Sequence, residues 1–182
     1  YHGNWKALHY TAQEVFSPTA LSVTKDQKGD LSVWAMSELK EFVWDTLEIT
    51  TCDMKGNKSV NTEVIRLPAN GALKITELSS IESNEFMTCY LKNSGVESKT
   101  VFGSLVKDMP FEQPHIKRNW RGDTLVVSTD VPAFQVYLHG IDGHFHDNFF
   151  TLLPNQKKEI FFEGELADRN NLIIWSLADL KK

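Results

Sequence analysis

The chain has 182 residues, with 19 Lys and Arg against 24 Asp and Glu and a formal charge of -5. Both signs are interspersed, so no basic face is offered to nucleic acid and no polybasic segment to anionic lipid, and no apolar run is long enough to span a bilayer. Apolar residues make up 41% of the chain, enough to core one large domain or two small ones.

The first segment, YHGNWKALHYTAQEVF, carries no initiator Met, no basic n-region and no apolar h-region, so it reads as the start of a piece of a longer protein. Trp5, Leu8, Ala12 and Val15, with Phe16, recur at helical spacing and predict one apolar stripe, with Asn4 as N-cap and Ser17-Pro18 as the stop. A helix this short is marginal alone and needs a surface to cover.

After Pro18 the period changes to two. ALSVTKDQKGDLSVWAMSE reads as strand, turn, strand, with Leu31, Val33 and Ala35 on one face, Trp34 and Met36 on the other, and Gly29 in the turn. Segments FVWDTLEITTCD, NTEVIRLPANG, ALKITELS, NEFMTCYLKN and SKTVFGSLV continue the series, with turns at Asn70-Gly71 and Asn93-Ser94-Gly95 and a bulge expected at Asp45-Thr46. Met87, Cys89 and Leu91 share an inward face. The spacing of Cys52 and Cys89 does not match an antibody-type bridge, so both are expected as buried free thiols.

KDMPFEQPHIKR breaks the alternation with two prolines, and a second strand series follows: GDTLVVSTDVP, FQVYLHG, NFFTLLP, KKEIFFEG and NLIIWSLADL. The expected fold is all-β: a short N-terminal helix (1–17), an immunoglobulin-like β-sandwich (18–106) and a second, smaller one (107–182).

HGIDGHFHDN, residues 139–148, is the stretch richest in potential ligands. Alternation in FQVYLHG places Phe134, Val136 and Leu138 on one face and Gln135, Tyr137 and His139 on the other, so His139 is expected outward. His144 and His146 lie two apart and share a face, a spacing that sheet-borne metal sites use, but a third ligand is lacking. The favoured expectation is a solvated turn at Ile141-Asp142-Gly143 flanked by histidines, with no metal.

Two segments carry a resemblance. GNWKALHYTAQEVFSPTALSV is similar to the junction in β-mannosidases of the family 2 glycoside hydrolase type, where the last helix of the catalytic barrel runs into an immunoglobulin-like domain. HDNFFTLLPNQKKEIFF resembles the Asp-Asn-(Phe/Tyr)-Phe-x-Leu-Leu-Pro-Gly-Glu segment of their final sandwich, with Pro154-Asn155-Gln156 in place of Pro-Gly-Glu; Asn, too, enters left-handed conformations. The resemblance implies a C-terminal accessory region whose partner is its own catalytic barrel. Through that barrel it implies hydrolysis of terminal β-D-mannose from oligosaccharides, with no metal or organic cofactor, in the periplasm or outside the cell.

No catalytic residue is carried over, because the family's two catalytic glutamates lie in the barrel. The acidic pairs Glu38 and Glu41, Glu82 and Glu85, and Glu163 and Glu165 lie beside turns and read as solvated charge rather than as an acid and nucleophile about 5 Å apart. If any loop reaches a sugar cleft, residues 139–148 are the candidate, with His144, His146 and Asp147 as substrate-binding groups, while Trp5, Leu8, Ala12 and Val15 pack against the barrel. Of the five Trp, Trp5, Trp34 and Trp175 are expected to be buried in the intact protein; Trp44 and Trp120 are assigned to core or interdomain packing over a sugar platform. The competing expectation is a free-standing carbohydrate- or protein-binding sandwich module, which would cover the helix stripe within its own chain.

Overall fold

The structure, a computed structural model, describes residues 5–181, so the N-cap expected at Asn4 lies outside the described residues. The chain divides into two compact units, one from Glu14 to Pro110 and one from Phe111 onward together with the segment up to Gln13.

The first unit holds eight strands: β1 (Thr19–Lys25), β2 (Leu31–Ser37), β3 (Val43–Asp53), β4 (Lys58–Leu67), β5 (Gly71–Leu78), β6 (Glu85–Leu91), β7 (Val96–Glu97) and β8 (Val101–Phe102). They form two antiparallel sheets, β1-β2-β5 and β4-β3-β6-β7, with β8 also paired to β6. The period-two pattern explains the packing. Val33 and Ala35 of β2 and Met87, Cys89 and Leu91 of β6 are fully buried in one core, whereas Met36 on the opposite face of β2 stays exposed. Gly29, Asn70 and Gly95 all take positive φ in the turns expected for them.

The bulge expected at Asp45-Thr46 does not form, since β3 and β4 pair without a register shift from Val43↔Leu67 to Cys52↔Lys58. Asp45 is instead turned inward and buried. Its Oδ1 accepts from the Thr46 amide (2.6 Å) and the Asn93 amide (2.9 Å), and its Oδ2 accepts from the Ser94 amide (3.0 Å) and hydroxyl (2.6 Å). The carboxylate thereby closes the Asn93-Ser94-Gly95 turn. Burial alone would raise its pKa, but these donors outweigh it and hold the carboxyl below its ordinary value. Cys52 and Cys89 are both free and buried, as expected, and burial pushes each thiol up to about 11.

The second unit carries β9 (Lys117–Arg121), β10 (Thr124–Ser128), β11 (Ala133–His139), β12 (Gly143–Phe145), β13 (Phe150–Leu152), β14 (Lys157–Gly164) and β15 (Ile173–Trp175). The sheets are β12-β14-β10-β9 and β13-β11-β15, and their facing sides bury Leu125, Val127, Val136, Leu152, Ile160 and Phe162. The simple alternation expected along FQVYLHG is interrupted: β11 pairs β13 at Ala133↔Leu152 and Val136↔Phe150 with a register shift between, and Gln135 takes φ 49. Ala133, Val136 and Leu138 therefore enter the core, while Phe134 is buried against Phe111. The strand expected through NLIIWSLADL ends at Trp175, because Asp179 Oδ2 accepts from the Ser176 amide (2.8 Å) and hydroxyl (3.1 Å) and starts a 3-10 turn. Asn155 takes φ 62, the left-handed conformation that its place after Pro154 requires.

Helix α1 (Ala7–Val15) buries Tyr10 alone. Leu8 is 75% exposed, Val15 67% and Phe16 84%, with Ala12 half-buried, so the apolar stripe read from the sequence is largely uncovered.

Candidate functional site

The site is built on the β12–β14 pair of the second unit. Gly143 lies opposite Gly164, His144 opposite Glu163 and Phe145 opposite Phe162. The glycine pair permits this approach: Gly143 takes φ 129, and a Cβ on it would stand 2.4 Å from the Glu163 carbonyl oxygen, while one on Gly164 would stand 2.5 Å from that of Asp142. Phe145 and Phe162 point into the core with rings 4.8 Å apart. Strand alternation then directs His144, His146 and Glu163 together onto the opposite face.

On that face the His144 and His146 rings are parallel within 1° at 5.4 Å. Glu163 Oε2 stands 3.4 Å from His144 Nε2 and 3.6 Å from His146 Nε2. The His146 amide donates to the Phe161 carbonyl (2.8 Å), and its ring meets Phe161 edge-on. Trp5 stacks on His144 at 4.4 Å and 9°, so this residue of the predicted stripe faces the second unit's own sheet rather than solvent alone. Asp147, grouped with the histidines in the sequence, does not join them. It pairs with Lys158 at 2.7 Å.

Beneath the histidines the loop is fixed by Asn148, which is buried. Its Oδ1 accepts from the Leu138 amide (2.8 Å) and its Nδ2 donates to the Leu138 carbonyl (3.0 Å), so the side chain continues the β13 edge past the Phe149 amide to Val136 carbonyl bond. Tyr10 from α1 hydrogen-bonds the same Asn148. Burial raises the Tyr10 hydroxyl above its ordinary value, the Asn148 bond opposes this and the Asp147 charge adds to it.

His139 is separate from this cluster and is not simply outward. It stacks on Tyr137 (4.7 Å, 12°), meets Trp175 edge-on (4.6 Å), and its Nε2 is buried without a hydrogen-bond partner. Burial lowers its pKa. The remaining tryptophans are half-buried or exposed: Trp120 packs on Phe145 and Phe162 beneath Arg169 and Trp34 is half-buried, whereas Trp44 is 58% and Trp175 50% exposed.

Among the described residues, two clefts are lined by glutamates or by aromatic and histidine side chains. One of about 230 Å³ in the first unit has Glu82 and Glu85 on its rim, but the Glu85 carboxylate accepts from the Glu82 amide (3.1 Å) and closes a turn. The other, about 40 Å³ between Trp5, Tyr10, Tyr137 and His144, has room for a water and not for a sugar ring. Glu38, Glu41, Glu163 and Glu165 are exposed, as the sequence indicates.

Residues 111–180 match the Ig-fold domain family Ig_mannosidase. This part of the chain is similar to a domain family of the immunoglobulin fold. The chain as a whole is 28% identical to "Beta-mannosidase A" of Aspergillus terreus over 89% of its length and 27% identical to that of Aspergillus clavatus over 100%. It spans 21% and 23% of those proteins, about a fifth of each. A β-D-mannosidase structure from Dictyoglomus thermophilum superposes with a TM-score of 0.79 at 17% identity, covering 93% of this chain and 23% of that one, which extends the fold likeness to both units. Ig_mannosidase domains are accessory domains of such enzymes, and the β-mannosidases that this chain matches do so over only a small part of their own length.

Glu163 is the member of the cluster that sequence reasoning missed. It had been paired with Glu165 as solvated charge, and only the register set by Gly143 and Gly164 brings it to His144.

Proposed function

We propose that the chain is a non-catalytic scaffold within a larger enzyme that releases terminal β-linked mannose from oligosaccharides. The observation that carries the proposal is the match of the full chain to about a fifth of β-mannosidase A. A retaining glycosidase needs two carboxyls about 5 Å apart across a sugar cleft, and the glutamate pairs on the described residues serve turns or face solvent. The scaffold acts by packing: the stripe of exposed Leu8 and Val15 with half-buried Ala12 covers part of the catalytic barrel, with Trp5 at its end, and residues 1–17 are that barrel's last helix. The segments 18–106 and 107–182 are its two sandwich domains.

The test sets this chain beside its full-length parent on a chromogenic β-mannoside. The expected result is an active parent and an inert chain. In the parent, Leu8→Asp with Val15→Asp removes burial worth roughly 1.5–3 kcal/mol per side chain and lowers the melting temperature, while the isolated chain melts as before. Turnover by the isolated chain, or a parent whose melting is unmoved, overturns the proposal.

A further inference from the structure

We propose that His144, His146 and Glu163 form a binding site for one divalent transition-metal ion of the zinc class. The inference is independent of the scaffold role and rests on this unit's own geometry. One ring nitrogen of each histidine and a Glu163 oxygen lie within 4.8 Å of one another. At 3.4 and 3.6 Å, the Glu163 oxygen is too far from either imidazole for a good hydrogen bond, which falls at about 2.7–3.2 Å. It stands instead near the edge of a coordination polyhedron, since two ligands of a tetrahedral ion, each at about 2.05 Å, lie about 3.3 Å apart.

The donor set selects the ion. Two imidazoles with one carboxylate suit zinc and its first-row neighbours rather than calcium or magnesium, which take oxygen ligands. His144 and Glu163 project from the paired strands β12 and β14, whose register is locked by the Gly143–Gly164 contact, and His146 follows directly after β12 with its amide bonded to the Phe161 carbonyl; strand-borne ligands are held more firmly than loop-borne ones. Trp5 stacks on the His144 ring at 4.4 Å and holds its orientation. His146 and Glu163 are exposed, so their side chains have room to close the last edge of the polyhedron, and the fourth position opens to solvent.

The whole chain, stripped with chelator and dialysed, is titrated with Zn²⁺ by calorimetry and with Co²⁺ by visible absorption. The expected result is one saturable ion per chain and a melting temperature that rises with excess Zn²⁺. His146→Ala and Glu163→Gln, both at exposed positions, should each weaken Zn²⁺ binding by at least about tenfold without altering the far-ultraviolet circular dichroism of the apo chain. His115→Ala, at the separate His115–Asp130 pair, should leave affinity unchanged. Absence of saturable binding, or affinity undiminished in His146→Ala and Glu163→Gln, overturns the proposal; loss in His115→Ala alone places the ion elsewhere and overturns it equally.

Discussion

Replacing Asn148 with Ala tests whether one side chain stands in for a missing strand. Phe150 pairs with Val136, and the Phe149 amide donates to the Val136 carbonyl, but two residues farther along β11 the Leu138 amide and carbonyl meet only the Asn148 carboxamide on that side. Asn148 is 4% exposed, so the truncation leaves a donor and an acceptor buried without partners and also strips the Tyr10 hydroxyl of one. At roughly 1–3 kcal/mol for each of the two orphaned backbone groups, the loss is about 2–6 kcal/mol, large against the whole stability of a domain this size. Urea unfolding should show a lower midpoint for the second unit at unchanged slope, and hydrogen exchange at the Leu138 amide should lose its protection. Asn148→Asp keeps the acceptor but aims an oxygen at the Leu138 carbonyl and buries a charge, so it should fare no better than Ala. A variant within about 0.5 kcal/mol of the parent sequence, with Leu138 still protected, would refute the argument.

Asp45 predicts an acid-side loss of stability in the first unit. A carboxyl held lower in the folded than in the unfolded state contributes fully above its unfolded value, near 3.9, and loses that contribution as pH falls through the folded value. Denaturation followed from pH 6 downward should therefore show a decline beginning at about pH 4 that is blunted in Asp45→Asn; an identical pH profile in the two proteins contradicts the assignment. The cysteines predict silence. With both thiols buried and raised to about 11, a thiol-reactive chromogen should label neither in the native chain and both in denaturant, and rapid native labelling would show that the core between the first unit's sheets opens readily.

The first unit was legible because its strands obey one rule. Leu31, Val33 and Ala35, and again Met87, Cys89 and Leu91, keep strict alternation and all reach the core. The errors arose where a side chain competes with the backbone for hydrogen bonds. Asp45 looked like a strand breaker because Asp suits turns, yet its carboxylate caps a turn 48 residues away in sequence and leaves its own strand regular. Gln135 failed in the opposite sense: nothing in Phe134-Gln135-Val136 marks a bulge, and the shift is imposed by the need to bring both Ala133 and Val136 to the core while Phe134 finds Phe111. The helix stripe is a third kind of case. Trp5, Leu8, Ala12 and Val15 follow helical periodicity faithfully, but periodicity marks an apolar face without saying what covers it, and here Tyr10 is the buried residue.

The histidine cluster separates what local spacing can carry from what register must supply. That His144 and His146 share a face follows from the period of a strand, and the parallel rings agree. That Glu163 joins them depends on which of two neighbouring acidic residues meets His144, 19 positions earlier, after the chain has run through β13 and the Pro154 turn. A one-residue slip would bring Phe162 to that position and turn the carboxylate inward. The slip is blocked because Phe145 and Phe162 both belong to the core and because only glycines fit where Gly143 and Gly164 meet backbone. Two glycines 21 apart, each flanking an alternating segment, were therefore the signal in the sequence. Their chemistry is mute, yet it decides whether the pair of imidazoles gains a third ligand.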